Sequence, residues 1–173
     1  AEPASVSRIN TRLDDELSAA TPAPALPALC STRVRPIAIL PDASVGDALA
    51  ARGAGDRRAF RARPDFDAAT LELATGLLDE LRLGAGDATD LLTIGLSATD
   101  YVGHSYGTEG PEMCQQLLAL DTMLGDFLKT VDARGISYAV VLTADHGGHD
   151  LPERNHQHAI PEAARVTTDV MPS

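Results

Sequence analysis

Two short apolar runs, residues 91–96 (LLTIGL) and 138–143 (YAVVLT), each break off into a polar loop holding one Asp and one His. Between them Met113, Leu117, Leu120, Leu124, Phe127, Leu128 and Val131 recur at steps of three and four, the spacing of an amphipathic helix. Pro111 suits the first helical position, Glu112 the positive N-terminal end, and Gly135 the stop. Continuous apolar runs of this length read as strands buried on both faces. A strand, a helix and a second strand joined in this way form a right-handed crossover, which makes the strands parallel. The expected fold class is therefore α/β, with helices packed on a largely parallel sheet. The long helix should cover that sheet with its apolar stripe and turn Gln115, Gln116, Asp126 and Lys129 to solvent or to neighbouring loops.

Upstream, Val6, Ile9, Leu13 and Leu17 stand at helical spacing, and the proline-dense stretch 19–29 (AATPAPALPAL) reads as an extended connector. Residues 1–35 are thus expected to form an N-terminal helix and a Pro/Ala-rich connector, and residues 36–173 the α/β domain. Residues 35–40 suit a short strand, and residues 41–55 read as irregular. Arg52, Arg57, Arg58, Arg61 and Arg63 cluster in an otherwise acidic chain. They read as a solvated loop paired with nearby Asp residues; the sharper alternative is an anion contact beside a phosphate site. Asp67 suits the N-cap of a helix to about residue 83, with Leu71, Ala74, Leu78 and Leu81 on one stripe and Gly84 and Gly86 ending it. Beyond Gly148 the chain turns polar, and Pro152 and Pro161 leave no convincing last element.

Charge and hydropathy exclude some functions. A net charge of −11 argues against a nucleic-acid surface, which needs a basic face. It also repels phosphate esters, so an anionic substrate needs strong local positive charge, which bound metal ions supply. No apolar run approaches the roughly 20 residues of a membrane-spanning helix, and no basic-then-apolar signal pattern opens the sequence. Cys30 and Cys114 suit a disulfide and equally suit two reduced thiols.

The chemistry sits in the two loops. In an open parallel sheet, sites form at the carboxyl ends of strands, so both loops should share one rim. Asp100 and His104 are four apart, on one face of a helical turn, and Asp145 and His146 are adjacent in a turn that Gly147 and Gly148 permit. Carboxylate oxygen and imidazole nitrogen suit zinc, manganese or iron. Two such half-sites on one rim suggest two ions about 4 Å apart, able to clamp both oxygens of an in-line phosphoryl transfer. His149, His156 and His158 offer the weaker alternative of a further site. Glu153 and Arg154 read as a surface pair, and Cys114 as a packed helical residue. Tyr101 and Tyr106 read either as cleft lining or as anchors of the first loop.

The segments 99–104 (TDYVGH) and 142–147 (LTADHG) resemble the two metal motifs of the alkaline phosphatase superfamily. The nearest branch is the bacterial alkaline phosphatases related to type I phosphodiesterases and nucleotide pyrophosphatases. Residues 63–70 (RPDFDAAT) and 150–154 (DLPER) also resemble that branch, and the similarity runs in order across residues 33–171. The resemblance implies a partial α/β/α sandwich, alkaline-phosphatase-like, and two zinc ions per intact site. It gives Asp100 and His104 to the zinc facing the leaving group or water, and Asp145 and His146 to the zinc that activates the nucleophile. It also implies a small-molecule phosphate ester as substrate and a periplasmic or secreted address.

The same resemblance places a Thr or Ser nucleophile and one Asp ligand before this stretch, and another His ligand after it. Thr93, Thr99 and Thr143 do not match the nucleophile motif, so no catalytic residue is expected here. The expectation is a central fragment of a zinc-dependent phosphomonoesterase, carrying half of a two-metal site and inactive without the N- and C-terminal parts of the same enzyme. A phosphodiesterase or nucleotide pyrophosphatase of the same superfamily is the near alternative. A noncatalytic binding domain that keeps the fold is the alternative from another class.

Overall fold

The computed structural model describes residues 2–165; the last residues of the stretch that carries the resemblance lie outside them. In chain order the elements are α1 (Ala4–Ser18), α2 (Ala28–Ser31), β1 (Ile37–Leu40), β2 (Ala43–Val45), α3 (Arg57–Arg61), α4 (Pro64–Glu80), α5 (Ala98–Tyr106), α6 (Pro111–Asp132) and α7 (Pro152–Gln157). Helix α4 lies at the centre, against α1, α3, α5 and α6. Leu71, Ala74 and Leu78 of its stripe are buried, while Leu81 is exposed. The helix starts earlier than Asp67 because Pro64 suits its first turn; Asp67 lies inside the helix and is wholly buried. None of the described helices is long and apolar enough to cross a membrane.

The expected parallel strands are absent from the described residues, whose one sheet is the antiparallel pair β1–β2. Residues 91–96 and 138–143 are neither helix nor strand and, among the described residues, make no backbone–backbone hydrogen bonds. Leu91 is 88% exposed, Val141 88% and Leu142 89%. An apolar run states that a face must be buried, but a strand also needs a neighbour's N–H and C=O groups. Leu92, Ile94 and Leu96 are half-buried while Leu91, Thr93 and Gly95 are exposed, the two-residue alternation of strand geometry on one-sided packing.

Helix α6 runs where the periodicity put it, but its buried side differs. Glu112, Gln115 and Gln116 are buried, whereas Leu117 is 51% exposed and Leu124 is only half-buried. The reason is a set of backbone groups in irregular segments that need partners. Gly46 N and Asp47 N donate to Glu112 Oε1, at 2.6 and 3.1 Å. Leu49 N donates to Gln115 Oε1 at 2.8 Å, while Gln115 Nε2 donates to Ala25 O at 3.2 Å.

Two members of the arginine cluster are interior anchors rather than solvated charges. Arg52, 1% exposed, donates to Leu17 O, Gly53 O, Glu16 O and Thr21 Oγ1. Arg63, also buried, donates to Ala50 O, Pro22 O and Asp65 Oδ2. The proline-rich connector has few donors of its own. It is held at Thr21, which exchanges backbone hydrogen bonds with Arg52 and accepts from its guanidinium, and at Pro22 O, which accepts from Arg63. The other backbone acceptors are the last carbonyls of α1 and those of the loop before α3. A disulfide between Cys30 and Cys114, with Cα atoms 5.6 Å apart, ties α2 to α6 and replaces the reading of Cys114 as a merely packed side chain.

Leu49, Ala62, Val102 and Met113 form the buried cluster beneath α5, with Tyr106 packed on it. Leu49 is 1% exposed, so Leu49→Ala is expected to cost about 2–5 kcal/mol. Urea denaturation of the full-length protein measures this, and a loss under about half a kcal/mol would refute the packing described.

Candidate metal centre

Helix α5 is two-faced. Ala98 and Val102, both at 0% exposure, bury one side, and Asp100 and His104 stand one turn apart on the open side. His104 Nε2 lies 3.3 Å from Asp100 Oδ1. The start of α5 is fixed from below: Ala98 N donates to Asp67 Oδ1 at 3.0 Å, and Gln116 Nε2 donates to Asp67 Oδ2 at 3.0 Å. Burial pushes the Asp67 carboxyl above its ordinary value, against the opposing hydrogen bonds from Ala98, Gln116 and Ser97. Asp67 and Gln116 were not legible as site supports; Asp67 read as the N-cap of its own helix, and Gln116 as a residue turned to solvent or to a neighbouring loop.

The second loop meets the first at Asp100. His146 Nε2 lies 3.6 Å from Asp100 Oδ1 and 3.6 Å from Asp145 Oδ2. His146 Nδ1 is 2.8 Å from Gly147 O, and because a carbonyl only accepts, Nδ1 carries the proton. Nε2 of the neutral ring is then the free lone pair, facing the carboxylates, in the usual arrangement of a ligating histidine. The Gly147 hydrogen bond, with the negative charges of Asp145 and Asp100, raises the His146 pKa. All four side chains are open to solvent: 44% exposure for Asp100, 75% for His104, 89% for Asp145 and 59% for His146.

The donor set fits a borderline metal such as zinc in part. Two ligand atoms on one tetrahedral zinc stand about 3.3–3.4 Å apart, given bond lengths of about 2.0–2.1 Å. The His104–Asp100 separation equals that edge, and the two His146 separations are a few tenths of an ångström longer. The donors form a row from His104 through Asp100 and His146 to Asp145 rather than a cage. Among the described residues no three His, Cys, Asp or Glu side chains close around one ion position. His149 Nδ1 instead meets Asp150 O at 3.2 Å, and His158 lies 3.8 Å from Glu109, so the alternative third site finds no such cluster either.

The neighbouring aromatics divide. Tyr106 packs on the core cluster and anchors the first loop. Tyr101 is braced at the rim, edge-on to Phe66 at 6.2 Å and with the Arg61 guanidinium 5.8 Å from its ring centroid.

Glu153 and Arg154 are not a surface pair. Arg154 is buried and donates to Asp150 Oδ1 at 2.6 Å, while Glu153 accepts from the exposed Arg165. Burial alone raises the Asp150 pKa, but hydrogen bonds from Arg154, Leu151 N and Thr108 N, with the Arg154 charge, outweigh it and hold the carboxyl below its ordinary 3.8. A depressed carboxylate stabilises above its unfolded value, and that contribution is lost as pH falls through the folded value. The denaturation midpoint should therefore drop as pH falls below about 4, and drop less in Asp150→Asn. Identical pH slopes in the two proteins would contradict this.

Residues 24–170 match the family described as type I phosphodiesterase / nucleotide pyrophosphatase. The chain is 47% identical over 150 residues to the alkaline phosphatase PhoD of Zymomonas mobilis, covering 87% of this chain and 26% of that protein. It is 46% identical over 167 residues to the alkaline phosphatase PhoK of a Sphingomonas species, covering 96% of this chain and 30% of that protein. A shorter match, 40% over 91 residues, is to the alkaline phosphatase PafA of Elizabethkingia meningoseptica and covers 51% of this chain and 16% of that protein. The chain thus spans less than a third of the length of these relatives.

Proposed function

The chain belongs to the type I phosphodiesterase / nucleotide pyrophosphatase family, and from that premise we propose that it is the central part of a zinc-dependent phosphoric ester hydrolase. Membership places it in the α/β class. In the intact protein, residues 91–96 and 138–143 are then neighbouring strands of a largely parallel sheet, which accounts for their bare backbones and exposed apolar side chains. The observation that carries the functional reading is the meeting of two separate loops at Asp100, with His104 on one side and His146 on the other.

Asp100 and His104 hold one ion and Asp145 and His146 the other, with the remaining ligands and the Thr or Ser nucleophile supplied by the rest of the protein. Two bound zinc ions supply charge stabilisation at the phosphoryl oxygens and lower the pKa of bound water to about 7. The chain's own part is to present carboxylates that offset ion charge and to fix His146 in the tautomer that leaves Nε2 free. A phosphate monoester is the preferred substrate class, because the relatives of widest overlap are alkaline phosphatases. The Cys30–Cys114 disulfide supports a periplasmic or secreted address, since such bonds persist in oxidising compartments.

The test is metal analysis of the full-length protein with hydrolysis of a chromogenic phosphate monoester and diester, before and after chelation and after zinc is returned. The reading expects two zinc ions per protein, faster monoester turnover, loss with chelator and recovery with zinc. Faster diester turnover with the same zinc dependence would favour the phosphodiesterase alternative. Absence of zinc and of hydrolysis would favour a noncatalytic binding domain.

A further inference from the structure

Asp150 and Arg154 lie outside the candidate ligand set, yet they sit where the two ligand loops are joined. Asp150 follows His146 by four residues, and Thr108 follows His104 by four. Thr108 N donates to Asp150 Oδ1 at 2.9 Å. Among the described residues this is the one hydrogen bond between residues 98–110 and residues 143–151. Arg154 Nη1 donates to the same oxygen at 2.6 Å, with Asp150 and Arg154 side chains only 2% and 7% exposed.

The surroundings are shaped for this contact. Gly107 has φ +82°, and a Cβ there would collide with Asp150 Oδ1 and lie 2.9 Å from Arg154 Nη1. At Gly110 a Cβ would lie 2.6 Å from Glu112 Oε2 and 3.0 Å from Arg154 Nη2. The turn between α5 and α6 can approach the buried pair only because it carries glycine at both points. An ion pair buried this deeply is weak support for stability, since desolvation consumes much of its attraction. Its distinctive product is a fixed direction and distance between the segments it joins.

We propose that Asp150 is a positioning residue, held in place by Arg154, that sets the separation of the two ligand loops and so the spacing of the two metal ions. The inference rests on the metal-centre reading given above. Asp150 acts through Thr108 N on the α5 side and through its own backbone on the His146 side. It needs no contact with substrate.

The test compares full-length wild type with Asp150→Ala, Asp150→Asn and Arg154→Lys. Zinc retention against a competing chelator, and KM and kcat for a chromogenic monoester, are measured on each. Asp150→Ala should weaken retention of zinc about tenfold to a hundredfold, the usual effect of removing a partner that orients a ligand. Turnover number should fall with it and KM measured at saturating zinc should stay near wild type. The melting midpoint falls as well, because Arg154 is left buried without its countercharge, so zinc retention is compared at a temperature where each variant is folded. Arg154→Lys, which keeps the carboxylate and its countercharge, should recover most of the affinity. Asp150→Asn, which keeps an acceptor for Thr108 N, should retain zinc better than Asp150→Ala. Should Asp150→Ala fail to fold, Asp150→Ala with Arg154→Met carries the test, because it removes the acceptor for Thr108 N without leaving the Arg154 charge buried alone. Wild-type zinc affinity in a folded variant that lacks the acceptor overturns the proposal while leaving the metal centre intact. Zinc-free wild type, or full activity in Asp100→Asn, would overturn the metal centre itself.

Discussion

Asp100→Asn in the full-length protein is expected to lower monoester turnover by at least about 10²–10³-fold. That range is the cost of deleting a single preorganised charge-stabilising donor, and Asp100 is where both loops meet. Its carboxylate lies 3.3 Å from His104 Nε2 and 3.6 Å from His146 Nε2, so losing its charge weakens the attraction for an ion on either side. The effect on folding should be small. The side chain is 44% exposed, and α5 is held by Ala98, Val102 and the Asp67 cap rather than by Asp100. The comparison belongs in excess chelator, because bound metal raises the apparent stability of the folded state by mass action. Near-wild-type turnover would remove Asp100 from the ligand set. A large fall in the chelated melting temperature would assign it a structural role instead.

Reduction of the Cys30–Cys114 bond is expected to cost about 4–5 kcal/mol, the chain-entropy value for a closed loop of this length. The two cysteines are 84 residues apart in sequence. The loop they close contains both short strands, α3, α4 and α5. Cys30 is 0% exposed, so a serine there also buries a hydroxyl where a half-cystine packed. Denaturant midpoints of the full-length protein with and without reductant measure the first effect, and Cys30→Ser with Cys114→Ser measures both together. If reductant leaves the midpoint where it was, the bond is not formed in the protein.

Much of the site was legible for a local reason. A spacing of four residues on a helix fixes which side chains share a face, so Asp100 and His104 could be paired before any tertiary information. Pro111 and the apolar rhythm placed α6 in the same way, because N-terminal proline and helical periodicity are properties of a few consecutive residues. The buried side of α6 was not legible. Gln115 and Gln116 read as turned to solvent or to neighbouring loops. Gln115 does meet loop backbone groups, Leu49 N and Ala25 O, whereas Gln116 is buried against the Asp67 carboxylate of α4. Arg52 and Arg63 were misread for the same reason, since their acceptors are carbonyls many residues away. Arg154 was assigned to its sequence neighbour Glu153, whereas burial selected Asp150.

The apolar runs at 91–96 and 138–143 mark the boundary between the two kinds of information. The order and spacing of residues alone determined that they need burial, that an amphipathic helix of set phase joins them, and that a carboxylate and an imidazole follow each. Tertiary structure alone decided that His146 meets Asp100, that Cys30 reaches Cys114, and that buried arginines hold a proline-rich segment. Periodicity is encoded within a turn or two of chain. A partner across space is selected only when folding brings unpaired donors, acceptors and apolar faces together.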